Sequence, residues 1–313
     1  MAHTIKTLLR AAKDKLPYIR SLRAYVDNAG AFPPGHYYSP TPSREEVERA
    51  ITRARAEAGR KGVPPGIALN EEKQFELLRI FATFYDDLPF PEEPSPCCRF
   101  YFRGSSPFPY PDAIFLYSFL RYAQPKQIVE VGSGFSSAVI LDTVDRFFPE
   151  RPKITFIQPY PINLNSLLRP DDHNKVTVHV EKVQNIPLDS FAALNAGDFL
   201  FIDSSHVVKC GSDVHFLLFE VLPRLPVGVY VHFHDVFRSF EYPEYFLSSG
   251  WYWNEGYFLR AFLSNNNAWA IRFFNNYIRV AAEDFLKEKM PLCVKNIGGS
   301  LYIQRTAEDL FTS

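Results

Sequence analysis

Beyond residue 110 the chain alternates short runs of apolar and β-branched residues with longer stretches of helical periodicity. This rhythm restricts the fold more than any other feature of the sequence. The short runs lie at 127–131, 154–157, 176–180, 199–202, 229–233, 269–274 and 300–304, and segments 136–148, 163–168, 212–222 and 255–264 supply helices between them. A strand that is apolar along its whole length is covered on both faces, and helical crossovers between such strands build a parallel sheet. The expectation is an α/β chain with a doubly wound sheet of seven strands. In such sheets ligands bind outside the carboxyl ends of the strands, near the point where the strand order reverses. The strand ends are therefore the places to look for chemistry.

The first hundred residues read differently. Residues 4–26 carry Ile5, Leu8, Leu9, Ala12, Leu16, Ile19 and Leu22 at helical spacing among basic side chains. Such a helix suits docking on its own domain, on a second subunit in a homo-oligomer, or on an anionic surface. A Pro/Gly/Tyr loop follows at 32–40. Ser43 with Glu46 three residues on forms a capping box that opens a helix through about residue 60. A further helix runs from Asn70 to about Tyr85, with Phe75, Leu77, Leu78 and Phe81 inward, and a Pro-rich stretch closes the region at 89–96. The chain has 313 residues, beyond the ~250–300 at which single cores stop growing. It divides on this reading into an N-terminal helical extension, 1–100, and a sheet domain, 101–313.

The first strand runs into Glu130-Val-Gly132-Ser133-Gly134-Phe135-Ser136-Ser137, a Gly-containing turn that opens a helix. Gly132 and Gly134 allow a tight turn and a close approach to a ligand, but the third glycine of a dinucleotide fingerprint is missing. A carboxylate at Glu130 repels a pyrophosphate, so the turn suits a cofactor with a cationic end. Glu130-x-Gly132-x-Gly134 resembles the first motif of class I S-adenosylmethionine (SAM)-dependent methyltransferases, with strand ends matching over roughly residues 105–305. The resemblance implies a Rossmann-like methyltransferase fold. It also implies that Glu130, Gly132, Ser133 and Gly134 cradle the methionine part of SAM, and that a side chain at the second strand end holds the ribose. That position is Gln158, where the family has Glu or Asp. A neutral acceptor in place of a charged one costs about 1 kcal/mol. Gln184 and Asn185 fall where the family approaches the adenine edge.

Two later strand ends gather titratable groups, Asp203-Ser-Ser-His206 and His232-Phe-His234-Asp235. Carboxylates closing neighbouring strands can converge on a divalent cation such as Mg²⁺, or form a metal-free acid/base site. The arrangement resembles metal-assisted O-methyltransferases. The resemblance implies Asp203 and Asp235 as metal ligands, His234 as a third ligand, His206 as general base, and Asp203 also against the cofactor. His232 is expected on the opposite face from His234, as a packed, hydrogen-bonded histidine. Trp251, Trp253 and Tyr257 are expected against the acceptor, and Phe108, Tyr110 and Asp112 as a lid. Segment 298–304 resembles the final, antiparallel strand of the methyltransferase sheet.

Lys+Arg number 34 against Asp+Glu 35, with no long basic run, which argues against nucleic-acid binding. No apolar run approaches the ~20 residues of a membrane span, so no integral membrane segment is expected. The four cysteines form no C-x-x-C pair and fit a reducing, cytoplasmic setting. The expected function is SAM-dependent O-methylation of a small molecule, a sugar or natural product. The alternatives are a binding protein that kept the fold without catalysis, motivated by Gln158, and a fold relative using the cofactor for other chemistry.

Overall fold

The computed structural model describes residues 17–19, 21–22, 30–58, 62–103 and 108–307. The basic helix expected over 4–26 lies almost entirely outside the described residues. The chain forms two compact units, Met1–Ala56 with Pro243–Tyr252, and Glu57–Tyr242 with Trp253–Ser313.

In the first unit the capping box forms as expected. Ser43 N–H donates to Glu46 Oε2 at 2.7 Å and Glu46 N–H to Ser43 Oγ at 3.3 Å, opening α1 (Arg44–Ala58). Arg55 holds Glu244 in a two-point ion pair at 2.7 and 2.5 Å, exposed to solvent and so of small energetic weight.

The second unit is built on a seven-stranded sheet. Its strands are β1 (Gln127–Val131), β2 (Lys153–Ile157), β3 (Thr177–His179), β4 (Phe199–Ile202), β5 (Tyr230–Phe233), β6 (Trp269–Phe274) and β7 (Leu301–Arg305), in the order β3-β2-β1-β4-β5-β7-β6. β1 to β5 are parallel, and β7 runs antiparallel to both neighbours, as the resemblance implied. The order reverses between β1 and β4, where Val131 is level with Ile202 and Asp203 N–H donates to Val131 O at 2.8 Å. The principal helices are α2 (Glu71–Ala82), α3 (Tyr110–Ala123), α4 (Phe135–Phe147), α5 (Glu255–Leu263) and α6 (Asn275–Ala281).

α2 buries Gln74, Leu77, Leu78 and Phe81, so residues 62–100 share the sheet's compact unit. The helix expected to reach Tyr85 ends at Ala82 and tightens into a single 3₁₀ turn, Tyr85–Asp87. α3 was not apparent in the sequence because Pro111 to Leu120 are all buried; a helix apolar all round has no stripe of period 3.6 to read. Much of the aromatic excess fills this core: Phe119 stacks on Tyr302 at 4.5 Å, and Phe81 and Phe115 pack on Phe273 at 5.0 and 4.8 Å.

Asp112, expected in a lid, is instead a core carboxylate. It accepts hydrogen bonds from Asn275 Nδ2 at 2.5 Å, Ser300 Oγ at 2.5 Å and Gly299 N–H at 3.0 Å. Burial forces this, since an unpartnered carboxylate in the core costs several kcal/mol. Tyr110 stacks on Phe102 at 4.4 Å and donates to Glu92. Among the described residues no helix is long and apolar enough to cross a membrane.

Candidate functional site

The site lies at the carboxyl ends of β1, β4 and β5. At the first, Gly132 has φ +84°, and a Cβ there would lie 1.7 Å from Asp203 O, so only glycine lets the β1 turn pass beside the β4 end. At Gly134 a Cβ would meet nothing within 4 Å, which leaves that side of the turn open to a ligand. The turn is braced from below. Gly134 N–H donates to Ser137 Oγ at 2.9 Å, and Ser136 and Ser137 Oγ each donate to Glu130 at 2.5 Å. Glu130 is fully buried, and burial raises its carboxyl to about 8 against the opposing pull of the two serines. The pyrophosphate-repelling charge expected at Glu130 is therefore quenched at neutral pH, and the side chain acts through the turn it supports.

At the β2 end, Gln158 Nε2 donates to Ser133 O at 3.2 Å and its Oε1 accepts from Tyr160 N–H at 3.3 Å. Gln158 thus borders the same turn. Gln184 is committed elsewhere, donating to Gly211 O at 2.8 Å, and Asn185 is exposed in the same single turn.

The ends of β4 and β5 meet at His206. Its Nε2 lies 3.2 Å from Asp203 Oδ1 and 3.8 Å from Asp235 Oδ2, while Nδ1 faces Glu255 Oε2 at 2.9 Å. Ser204 Oγ holds the other oxygen of Glu255 at 3.1 Å, and the His206 carbonyl accepts the N–H groups of Asn254 and Glu255 at the start of α5. The Trp253 ring covers the imidazole at 4.3 Å. His206 and Asp235 both adopt left-handed backbone, φ 59° and 56°, conformations that persist only where surrounding contacts impose them and that cluster at functional sites. Burial pushes His206 down, but Asp203 and Glu255 overcome it and hold the imidazolium well above its usual range. Burial raises Asp203, and the charges of His234 and His206 reverse this to hold it below the usual carboxylate range. Asp235 is raised, mainly by burial.

Residues 129–236 match a family model described as a methyltransferase domain. A curated relative from Archaeoglobus fulgidus, described as an uncharacterized protein, is 37% identical over 134 residues, covering 42% of this chain and 59% of the relative. The match thus spans less than two thirds of that relative's length. Similar solved structures include a SAH-bound methyltransferase of Podospora anserina (14% identity, 86% of this chain and 99% of that one, TM-score 0.41). Another is an O-methyltransferase of Streptomyces achromogenes in complex with SAM (14% identity, 84% and 99%, TM-score 0.40).

The sheet unit brings Glu130, Gly132, Ser133, Gly134 and Gln158 together at one turn, and Asp203, His206 and Asp235 together beside it. It does not assemble the expected metal set. Among the described residues no three or more His, Cys, Asp or Glu side chains are arranged to hold an ion. The physical reason is that His206 Nε2 stands against both carboxylates and fills the place of a cation. His234 does not join them: its Nε2 is 3.8 Å from Asp235 Oδ1, its Nδ1 is buried without a hydrogen-bond partner, and its ring packs on Phe108 at 5.2 Å.

His232 is packed as expected, stacked on Phe201 at 4.0 Å, but neither nitrogen has a hydrogen-bond partner. It also shares a face with His234, the rings 6.1 Å apart, because side chains two apart on a strand point the same way. Trp253 reaches the site, and Tyr257 packs on Tyr242 at 5.8 Å, whose own ring meets Trp253 at 6.1 Å. Trp251 packs instead on Phe246 at 5.0 Å. Glu255 was missed as a site residue. Its signal was a lone carboxylate within the aromatic run Trp251–Phe258, a setting that buries it and so demands a cationic partner.

Proposed function

We propose that the chain transfers a methyl group from SAM to a hydroxyl oxygen of a small molecule such as a sugar or natural product, with His206 as the general base. SAM supplies an already activated methyl group. The Gly132–Gly134 turn fits it: its open side receives the methionine end, and Glu130, Ser136 and Ser137 hold the turn in shape. Gln158, at the rim of this turn, is proposed for a ribose hydroxyl. The residues do not fit a divalent cation, and no step is routed through one.

The observation that carries the reading is the chain Asp203–His206–Glu255 beside that turn. Because carboxylates face both nitrogens and favour the cation, Nε2 serves as base only in the form deprotonated at higher pH, so the rate rises with pH. Glu255 fixes Nδ1–H toward itself and stabilises the cation re-formed as Nε2 takes the proton. Asp203 and Asp235 stand at the Nε2 side and orient the acceptor hydroxyl. A positioned base of this kind contributes ~10²–10⁴ in rate, and alignment of donor and acceptor up to ~7–11 kcal/mol.

Isothermal titration of the full chain with SAM and with S-adenosylhomocysteine tests the reading. Saturable binding of both is expected; folded protein that binds neither would sink it.

A further inference from the structure

Cys97 and Cys98 are adjacent in sequence and stand apart from the site. Their Sγ atoms are 4.0 Å apart. Cys97 is exposed and Cys98 is 6% exposed. The pair is held in place: Cys98 Sγ donates to Pro89 O at 3.1 Å, and Arg146 donates to Cys98 Sγ at 3.2 Å and to Cys97 O at 2.5 Å. Ser95 Oγ contacts Cys97 Sγ at 2.9 Å and, with Cys98 and Arg146, keeps that thiol below its usual range. The next residue, Arg99, is anchored to Asp142 of α4, so the backbone cannot readily shift.

Two reactions compete for such a pair, and distances decide between them. A disulfide needs Cα atoms about 4.4–6.8 Å apart and S–S near ~2.05 Å, whereas consecutive Cα atoms across a trans peptide are ~3.8 Å apart. Closing the bridge would strain a segment that Arg146 and Arg99 hold fixed. A single atom bridging both sulfurs needs less closure. With bonds near ~2.3 Å, the length taken from metal–thiolate sites, the ~100° angle of a pyramidal centre needs sulfurs ~3.5 Å apart, a closure of only about 0.5 Å from the observed 4.0 Å against roughly 2 Å for a disulfide. Arg146 disfavours a net-positive ligand, burial and Asp142 hold the Cys98 thiol above its usual range, and among the described residues no third His, Cys, Asp or Glu completes a metal set. What remains is a neutral, thiophilic, two-coordinating electrophile.

We propose that Cys97 and Cys98 form a dithiol site for trivalent arsenicals. In the reaction with phenylarsine oxide, two As–S bonds replace the bonds to oxygen, and the oxygen leaves as water with the two thiol protons. Arsenic stays trivalent.

The test uses the full chain and phenylarsine oxide at one equivalent, read by intact mass. Wild type takes up one phenylarsenic group, which 2,3-dimercaptopropanol removes and 2-mercaptoethanol at equal thiol concentration does not. Cys97→Ser, at an exposed position that leaves the fold intact, binds about 10²-fold or more weakly because the second bond is lost. Cys98→Ser behaves the same way. Cys210→Ser, an exposed cysteine elsewhere, retains the adduct. Loss of the adduct in Cys210→Ser, its retention in Cys97→Ser, or ready removal by the monothiol would overturn the proposal.

Discussion

Two buried clusters in the sheet unit each join one cationic side chain to several carboxylates, and they differ in what is left over. Arg99 donates to Asp142 Oδ1 at 2.8 Å and to both oxygens of Asp172 at 2.5 and 2.7 Å. Backbone N–H groups of Arg99, Phe100 and Arg169 take up the remaining capacity. Burial pushes Asp172 up, and these bonds more than reverse it. Arg99, Asp142 and Asp172 are 1–2% exposed; Arg99 also pairs with Asp145, 25% exposed, whose other oxygen is held by Arg151, so every carboxylate of the cluster is matched by a cation. Around His206, by contrast, Asp203 and Asp235 keep 33% and 21% of their side chains accessible, and the backbone at His206 and Asp235 is left-handed. The closed cluster ties residues 99–100 and the Arg169–Asp172 turn to α4. The open one presents polar atoms at the strand ends where a reactant can reach them. Buried charge alone does not mark a site; unsaturated buried charge on strained backbone does.

Exchanging the two roles is the direct way to break this comparison. His206→Ala is expected to lower kcat by ~10²–10⁴ with SAM affinity little changed, and also to lower the unfolding midpoint because Glu255 is left buried without its cation. Glu255→Gln should fall between it and wild type and move the rise of rate with pH toward lower pH, because one of the charges raising the His206 pKa is gone. A fully active His206→Ala enzyme removes the base assignment. Arg99→Ala should act through stability, costing about 3–5 kcal/mol in denaturant unfolding because two buried carboxylates lose their cation. A loss below ~1 kcal/mol would show that cluster to be open as well.

Glu130 sharpens the comparison as a third kind of setting, a buried carboxylate held by hydroxyls and no cation. Its folded pKa, about 8, is raised above the ordinary value of 4.5, so the folded state holds the proton that the unfolded chain releases. Its stabilising contribution is full below pH 4.5 and is lost as pH rises through about 8. Between pH 5 and 7.5 the loss amounts to roughly 2–3 kcal/mol. Glu130→Gln should flatten that part of the stability profile, measured by urea unfolding across the range. An unchanged slope would place the titration elsewhere.

How much of this was legible in the sequence follows from which interactions are local. The strands, the Gly132 turn and the strand-end residues Asp203, His206 and Asp235 are written in runs of four to ten residues, and the sheet holds them as expected. Helix α3 escaped because full burial erases periodicity, and α6 because it follows β6 without an intervening turn signal. Glu255 escaped because its partner is 49 positions away, and the pairing exists only once α5 is laid against the loop after β4. Glu130 was visible as a residue but not as a neutral acid, since its protonation depends on burial that no motif records. The metal set does not assemble among the described residues because His206 occupies the place between the carboxylates, and that is a fact of three-dimensional packing.

The smallest expected effect concerns Gln158, at the rim of the turn beside the open cluster. Glu in its place would offer a ribose hydroxyl a charged acceptor, worth about 1 kcal/mol more than the amide. The change also removes the donation from Nε2 to Ser133 O, and a carboxylate oxygen facing that carbonyl must turn outward, toward the ligand side. Gln158→Glu is therefore expected to tighten SAM and S-adenosylhomocysteine alike, several-fold and by the same factor, because the ribose is common to both. Stability should fall by no more than ~1 kcal/mol from the lost tie to the turn. Tightening of SAM alone would point to the sulfonium charge rather than the ribose. No tightening of either would leave Gln158 a brace of the Gly132 turn, and would shift the comparison toward a turn that is held shut from the β2 side.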